Sequence, residues 1–319
     1  MSEDRPYLDV DGRVAYLVSH GYVEDDELSD AAAAFLARTN FHYFLGYARN
    51  FRKLRREGRV EGDLSLDRAI QMVRLDHQVS DRLFQALRAL EWRLRAALVD
   101  AHCRLYPATS CFLDPGHYSV RSFDARPVEE SIREQIARSR EPFVLGTFEA
   151  HEKANGRAWK DSAMKMADGD RLEAMRSLPI WAVVDGWSLG LLERVINQTA
   201  PQEVEGSEQW LWKEVAGRFS VANQVFETQL KSLIVLRNLI AHHSRLWMRP
   251  TASSSRSPKA YSKQGRGVDP KAMYVTWLTL ASFLRESGHD KQLLDDLDGL
   301  IGTDPLYELG IKNPLHSAA

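Results

Sequence analysis

The chain has 319 residues, of which 44% are hydrophobic, and its 42 basic and 44 acidic residues leave a formal net charge of −2. This composition excludes a disordered tail and a small disulfide-stapled scaffold, and it requires any nucleic-acid surface to be a local basic patch. Only two cysteines occur, which favours a reducing compartment. Residues 1–11 lack the apolar run of a secretory signal, and the longest nearly apolar run, twelve residues from Met273, is too short to span a bilayer. We therefore expect a soluble cytoplasmic protein without a membrane partner.

Sparse glycine and proline, and the lack of short alternating strands, predict an all-α fold. In chain order, the patterns predict two or three short helices within 17–59, a long amphipathic helix over 66–106, weaker helices over 128–138 and 143–153, and further helices over 179–195, 221–241 and 271–286. We expect residues 250–270 to form a loop. The predicted division is an N-terminal helical extension over 1–62, a core over 63–250 with an insertion at about 118–178, and a basic loop with C-terminal helices over 251–319.

Two stretches are locally basic. Residues 228–268 contain no acidic residue, and we predict that Arg245 and Arg249 there contact RNA. The second stretch, 49–59, follows a cluster of aromatic residues that is more typical of a core. Its predicted RNA contacts are Arg52, Arg55 and Arg56, and an ordinary charged helix face explains this stretch equally well.

The helix predicted over 221–241 contains the most informative pattern. Residues 233–236 and 239–241 are apolar and surround the helix, which predicts that it is buried on all sides. Arg237 and Asn238 would then carry a desolvation cost of a few kcal/mol unless they are paired or face a wet cleft. His242 and His243 follow at the helix end, where an imidazole can transfer protons near neutral pH.

These four residues suit RNA cleavage without a metal ion. An imidazole can take the proton of a ribose 2′-OH, while a guanidinium binds the scissile phosphate. The spacing alone is weakly specific, and a buried polar network that caps the helix explains it as well. On a regular helix Arg237 and His242 are about 140° apart, which favours a two-fold dimer that brings two sets across one cleft.

Four stretches together resemble the Abi-like (abortive infection) family, whose core is similar to the HEPN superfamily of helical ribonucleases. They are RNLIAHHSRLW, HGYVEDDELSDAAAAFLARTNFHYFLGYARNF, DHQVSDRLFQALRALEWRLR and LPIWAVVDGWSLGLLERV. The resemblance implies an HEPN-like helical bundle, a homodimer and an RNA substrate. It also implies a role in phage defence, or as a toxin restrained by an antitoxin or small RNA. It makes Arg237, Asn238 and His242 the catalytic motif, with Glu91 and Arg95 as supporting residues.

We therefore interpret the chain as a metal-independent endoribonuclease without a cofactor. In this hypothesis His242 is the general base or acid, Arg237 binds the phosphate, Asn238 orients the site and His243 assists. The expected products are a 2′,3′-cyclic phosphate and a 5′-hydroxyl. A catalytically inactive HEPN-type module that binds RNA or a partner protein is the main alternative, and a purely structural helical adaptor is a third.

No metal site is predicted. A zinc set could be assembled from His102, Cys103, Cys111 and His117, but no CxxC pair occurs and cysteine is commonly a small buried residue. An HExxH pattern begins at His151, but Asn155 stands where its second histidine is required.

Overall fold

The computed structural model describes residues 7–24, 28–62, 64–119, 126–251, 257–288 and 290–315, and it confirms the all-α class. The helices are α1 Val10–Ser19, α2 Asp30–Arg38, α3 Phe41–Arg56, α4 Leu66–Leu105, α5 Val128–Arg138, α6 Pro142–Ala154, α7 Asp168–Arg176, α8 Ile180–Val183, α9 Leu189–Gln198, α10 Leu211–Arg218, α11 Asn223–Ala241, α12 Met273–Leu284, α13 Asp290–Gly302 and α14 Pro305–Lys312. A small antiparallel hairpin, β1 Gln202–Val204 and β2 Ser207–Gln209, precedes α10. Within the described ranges, no helix is both long enough and apolar enough to cross a bilayer.

The chain forms two compact units. Unit 1 comprises Met1–Leu87 and Val235–Ala319, and unit 2 comprises Arg88–Ile234. Both boundaries fall inside a helix, one within α4 and the other within α11. The three-part division into extension, core and C-terminal segment stays a prediction.

Side-chain caps explain several helix starts. Asp9, Ser29, Asn40 and Asp304 each accept a hydrogen bond from a backbone N–H in the first turn of the helix that follows. Such a cap satisfies a donor that has no partner within the helix, and it contributes about 1 kcal/mol.

In unit 1, α12 is buried along nearly its whole length and packs against α13 and α14.

The continuous helix predicted over 179–195 is wrong. Helix α8 ends at Val183, a 3₁₀ turn follows over Val184–Gly186, and α9 begins at Leu189. The Ser188 side chain accepts a hydrogen bond from the N–H of Leu191 at 3.2 Å, so Ser188 caps a new helix. Because the apolar stripe continues across this break, periodicity did not reveal it.

The helices predicted over 128–138 and 143–153 are confirmed as α5 and α6.

The prediction that α11 is buried on all sides is also wrong. Leu236 and Ile240 are buried, whereas Val235 is 42% exposed, and Asn238 and His242 are exposed as well. An apolar count cannot tell which side of a helix the rest of the chain covers. Asn238 therefore carries no desolvation cost in this chain, and an apolar side chain lies beside it on the surface.

Two histidines of unit 2 are held uncharged by their surroundings. Burial lowers the pKa of His102 to about 3, with a smaller contribution in the same direction from the nearby His117. Burial lowers the pKa of His117 to about 4, although the carboxyl group of Asp114 acts in the opposite direction. An unfolded chain binds these protons near pH 6.5, so acid favours the unfolded state.

We expect the free energy of unfolding to fall as the pH drops from about 6.5 towards 4, by up to about 1.4 kcal/mol per pH unit for each imidazole. Above about pH 6.5 the two histidines make their full contribution to the free energy of unfolding, so a further rise in pH adds nothing from this source. Urea unfolding of metal-free protein between about pH 7.5 and 5 measures the slope. The double variant His102→Gln/His117→Gln should have a flatter slope, and His42→Gln, an exposed control on α3, should keep the wild-type slope. Equal slopes in all three proteins would contradict this account.

Candidate active site

The four predicted catalytic residues lie at the C-terminal end of α11. Arg237 is half-buried, and its Nη1 donates a long hydrogen bond, 3.4 Å, to Oδ1 of Asn238. The last helical residue is Ala241, so His242 and His243 stand directly beyond the helix, and both are exposed. The structure thus brings Arg237 and Asn238 into contact and leaves both imidazoles open to solvent.

His243 occupies the turn that ends α11. Its φ is +51°, in the left-handed region, and its N–H donates to the carbonyl of Ile240 at 3.0 Å. The N–H of Ser244 donates to the carbonyl of Leu239 at 2.8 Å. These two bonds form a Schellman motif, in which glycine usually takes the left-handed position. A side chain there costs about 1–3 kcal/mol, and such strain is commonest at functional sites.

A buried carboxylate holds the segment that follows this turn. Asp76 on α4 is 1% exposed, and each of its oxygens accepts two hydrogen bonds. Oδ1 binds the hydroxyl of Tyr307 at 2.5 Å and the N–H of Trp247 at 3.1 Å, and Oδ2 binds the hydroxyl of Tyr47 at 2.6 Å and the N–H of Leu246 at 2.9 Å. Burial raises the pKa of Asp76, and the four donors oppose that shift. Burial and the nearby carboxyl group raise the pKa of both tyrosines well above the usual value.

Close packing seats Trp247 and Met248 against α14. The indole of Trp247 stacks on the ring of Tyr47, with centroids 5.9 Å apart, and its Nε1 donates to the carbonyl of Leu306 at 3.1 Å. A Cβ at Gly310 would overlap the Trp247 indole and the Met248 sulfur, so this close approach requires glycine. The second half of the motif RNLIAHHSRLW therefore serves to pack this segment against its neighbours.

Arg245, one of the predicted RNA contacts, is half-buried beside the same cluster. Its guanidinium lies 5.6 Å from the ring centroid of Tyr47, and its Nε donates to the carbonyl of Trp247 at 3.1 Å. Burial lowers the pKa of Arg245, and the carboxyl group of Asp76 opposes this effect. A Cβ at Gly46 would overlap the guanidinium, so glycine provides its space.

The other predicted RNA contacts differ in their surroundings. Arg52 donates to the carbonyl of His20 at 2.8 Å and to the hydroxyl of Tyr22 at 3.0 Å, and its guanidinium lies over the Tyr22 ring. Arg56 is exposed, and the remaining two are partly exposed, namely Arg55 and Arg249. Their contact with RNA stays a prediction.

The predicted supporting residues belong to unit 2, whereas the four catalytic residues belong to unit 1. Glu91 and Arg95 form an ion pair at 3.6 Å, with side chains 17% and 15% exposed. Arg95 also donates to the carbonyl of Trp187 at 3.1 Å. The bond to Trp187 fastens α4 to the break before α9, and the supporting role of Glu91 and Arg95 stays a prediction.

Sequence reasoning missed Asp76 and its tyrosine partners. A signal was present, because Asp76 falls on the apolar stripe of α4 that includes Ala69, Val73, Val79 and Leu83, all fully buried. An acidic residue on such a stripe needs donors from elsewhere in the chain. One of those donors, Tyr307, is 231 positions away, which no local pattern can show.

Replacement of Asp76 by asparagine should lower the free energy of unfolding by about 2–4 kcal/mol, because the amide NH₂ would face a peptide N–H that can only donate. Chemical denaturation measures this loss. Asp81→Asn, an exposed position on the same helix, is the matched control and should change the stability by less than about 0.5 kcal/mol. A similar effect of both substitutions would show that the buried carboxylate does not organise this region.

Comparison with protein families places the site in context. A family model described as Abi-like protein matches residues 34–248, more than half of the chain. The matched range includes α3, α4, α11 and the segment that Asp76 holds. Comparisons with curated proteins and with solved structures gave no match.

Proposed function

Because this chain belongs to the Abi-like protein family, we propose that it is a metal-independent endoribonuclease that acts in abortive phage infection or as the toxin of a toxin-antitoxin system. The observation that supports this proposal is the arrangement of side chains at the end of α11. A guanidinium contacts an amide there, two solvent-exposed imidazoles follow at the helix end, and a buried carboxylate binds the backbone that begins three residues later. Preorganised groups of this kind are what acid-base and electrostatic catalysis require.

In the proposed reaction His242 takes the proton from a ribose 2′-OH. The resulting oxygen attacks the adjacent phosphorus, the P–O2′ bond forms and the P–O5′ bond breaks. Arg237 binds the non-bridging phosphate oxygens and stabilises their developing charge, and Asn238 orients Arg237 through the 3.4 Å contact. His243 supplies the proton that the leaving 5′ oxygen takes up. The products are a 2′,3′-cyclic phosphate and a 5′-hydroxyl.

We also propose that the working form is a homodimer with an HEPN-like helical core. Val235, Asn238 and His242 follow one another at spacings of three and four, so they share one exposed face of α11, with half-buried Leu239 beside them. A second copy that covered this face would also bury Val235. Since about 140° separates Arg237 from His242 around a helix, a two-fold axis would pair His242 with the partner's Arg237.

RNA digestion in EDTA tests the proposed activity. The wild-type protein should give fragments with cyclic phosphate and 5′-hydroxyl ends. His242→Ala should cleave at least about a hundredfold more slowly, because general acid-base catalysis is typically worth that factor or more. His42→Ala, which changes an exposed histidine on α3, is the control and should cleave normally. Stable RNA complexes without fragments would favour the inactive binding module, and neither binding nor cleavage would favour the helical adaptor.

Mixing two inactive variants tests whether the site is shared between protomers. If His242 works with the partner's Arg237, co-refolding Arg237→Ala with His242→Ala should restore about a quarter of the wild-type activity. The reason is that half of the dimers are mixed and each mixed dimer has one complete site. A site contained within one protomer would give no recovery. Val235→Glu in both chains should abolish the recovery, whereas the conservative Val235→Thr should preserve it.

The proposed RNA path uses basic groups near the site and on α3. Three candidates are partly or fully exposed arginines, namely Arg249, Arg55 and Arg56. Arg245 and Arg52 are candidates as well, through those N–H groups of their guanidinium that are not used in the contacts described above. A toxin of this type would also need a partner that restrains it, and an antitoxin protein or small RNA is the partner we propose.

A further inference from the structure

Three metal-ligating side chains meet in unit 2, in a region that the proposed reaction does not use. His102 lies in the last turn of α4, Cys111 begins the 3₁₀ turn Cys111–Leu113, and His117 ends the next one, Pro115–His117. One ligand atom from each residue lies within 4.8 Å of the ligand atoms of the other two. Nε2 of His102 is 3.8 Å from Sγ of Cys111, and the two imidazole centroids are 5.4 Å apart.

We propose that His102, Cys111 and His117 bind a divalent transition-metal ion of the zinc class. In a tetrahedral site with usual Zn–S and Zn–N bond lengths, a sulfur and a nitrogen ligand are about 3.6 Å apart. The distance of 3.8 Å between His102 Nε2 and Cys111 Sγ is already close to this value. The ligand atom of His117 lies within 4.8 Å of the other two, so closure around an ion needs a shift at His117, which comes from a short turn.

An unsatisfied nitrogen atom supports this assignment. His102 is fully buried, and among the described residues Nε2 of His117 has no hydrogen-bond partner. Buried polar atoms without a partner are rare in proteins and call for an explanation such as an unseen ion. A metal ion would use the lone pair of His117 Nε2. At His102 the nitrogen that faces Cys111 is Nε2, so the ring proton would reside on Nδ1.

The protonation states also suit a metal ion. Because burial lowers the pKa of His102 to about 3 and of His117 to about 4, both rings keep a free lone pair at neutral pH. Burial raises the pKa of the Cys111 thiol, and without metal this thiol donates to the carbonyl of Pro107 at 3.3 Å. A bound cation would replace the thiol proton and form a thiolate bond, releasing one proton to solvent.

Among the described residues, no fourth protein ligand joins these three. The charge of Asp114 acts on both His117 and Cys111, and its Oδ1 is held by Arg176 at 2.5 Å. The ring of Tyr106 lies 4.6 Å from that of His117, and its hydroxyl donates to the carbonyl of Ala200. With three protein ligands, the fourth position falls to water or to a small anion. The ion would fasten the end of α4 to the two turns that follow it.

A second group, His151, Asp170 and Glu173, has suitable ligand types but is the weaker candidate. The guanidinium of Arg157 lies 3.1 Å from Asp170 and occupies its carboxylate. A cation already neutralises this site, whereas no basic side chain bonds to the His102 cluster in the described part of the chain. His151 therefore provides a control position.

Metal titration of chelator-stripped protein tests the proposal directly, without reference to nuclease activity. Co²⁺ should bind with one equivalent per chain and produce sulfur-to-cobalt charge-transfer absorption, and Zn²⁺ should displace it. Cys111→Ser should lose this absorption and at least about tenfold in affinity, a typical loss for a disturbed metal shell. Cys103→Ser, which removes the other, exposed cysteine, and His151→Gln should both bind like the wild type.

A second measurement distinguishes loss of the metal site from misfolding of a variant. In the wild-type protein Zn²⁺ should shield one of the two thiols from alkylation, and in Cys103→Ser it should shield the thiol that remains. If Cys111→Ser does not fold, His117→Gln replaces it with the same expected loss of cobalt absorption. No binding by the stripped wild-type protein, or binding lost in Cys103→Ser or His151→Gln but kept in Cys111→Ser, would overturn the proposal.

Discussion

The buried carboxylate of Asp76 is the interaction on which the organisation of unit 1 depends. Its four donors come from α3, from α14 and from the segment after α11, so one side chain of α4 joins four parts of the chain. A charge in this position is tolerable only when every donor is in place, because each missing bond exposes an unpaired acceptor to an apolar environment. Two of the donors are peptide N–H groups, so they fix the backbone itself. The turn at His243 lies three residues before Leu246, so the same bonds hold it in place.

The sequence predicted what depends on local patterns. Apolar periodicity was sufficient for α4, α5 and α6, and a short motif at the end of α11 identified the candidate catalytic residues. The break before α9 was missed because Ser188 caps a new helix inside an unbroken apolar stripe. The exposure of Val235 was missed because an apolar residue count contains no information about which face is covered. Asp76 and Tyr307 meet across most of the chain, and only the tertiary structure shows such a pair.

The sequence placed His102, Cys111 and His117 among possible zinc ligands, but the lack of a CxxC pair argued against a site there. Sequence motifs for zinc rely on closely spaced pairs of cysteines, whereas here a helix end and two short turns assemble single ligands from three places. The proposed metal ligands and the candidate catalytic residues are different side chains, so the two proposals can be tested separately. A metal ion in this position would act on stability, and the metal-independent chemistry would proceed on other side chains.

The exposed face of α11 connects the proposed chemistry with control of the activity. If the site is completed only when two copies meet, a monomer holds His242 and Arg237 on different sides of one helix and cannot cleave. Activity would then rise with the square of the protein concentration while dimers are scarce. A restraining partner would need to cover only Val235 and its exposed neighbours, without reaching the phosphate-binding group. In the proposed toxin, this arrangement would separate the folding of the catalytic groups from their use, because Asp76 organises unit 1 within one chain and a second copy would complete the site.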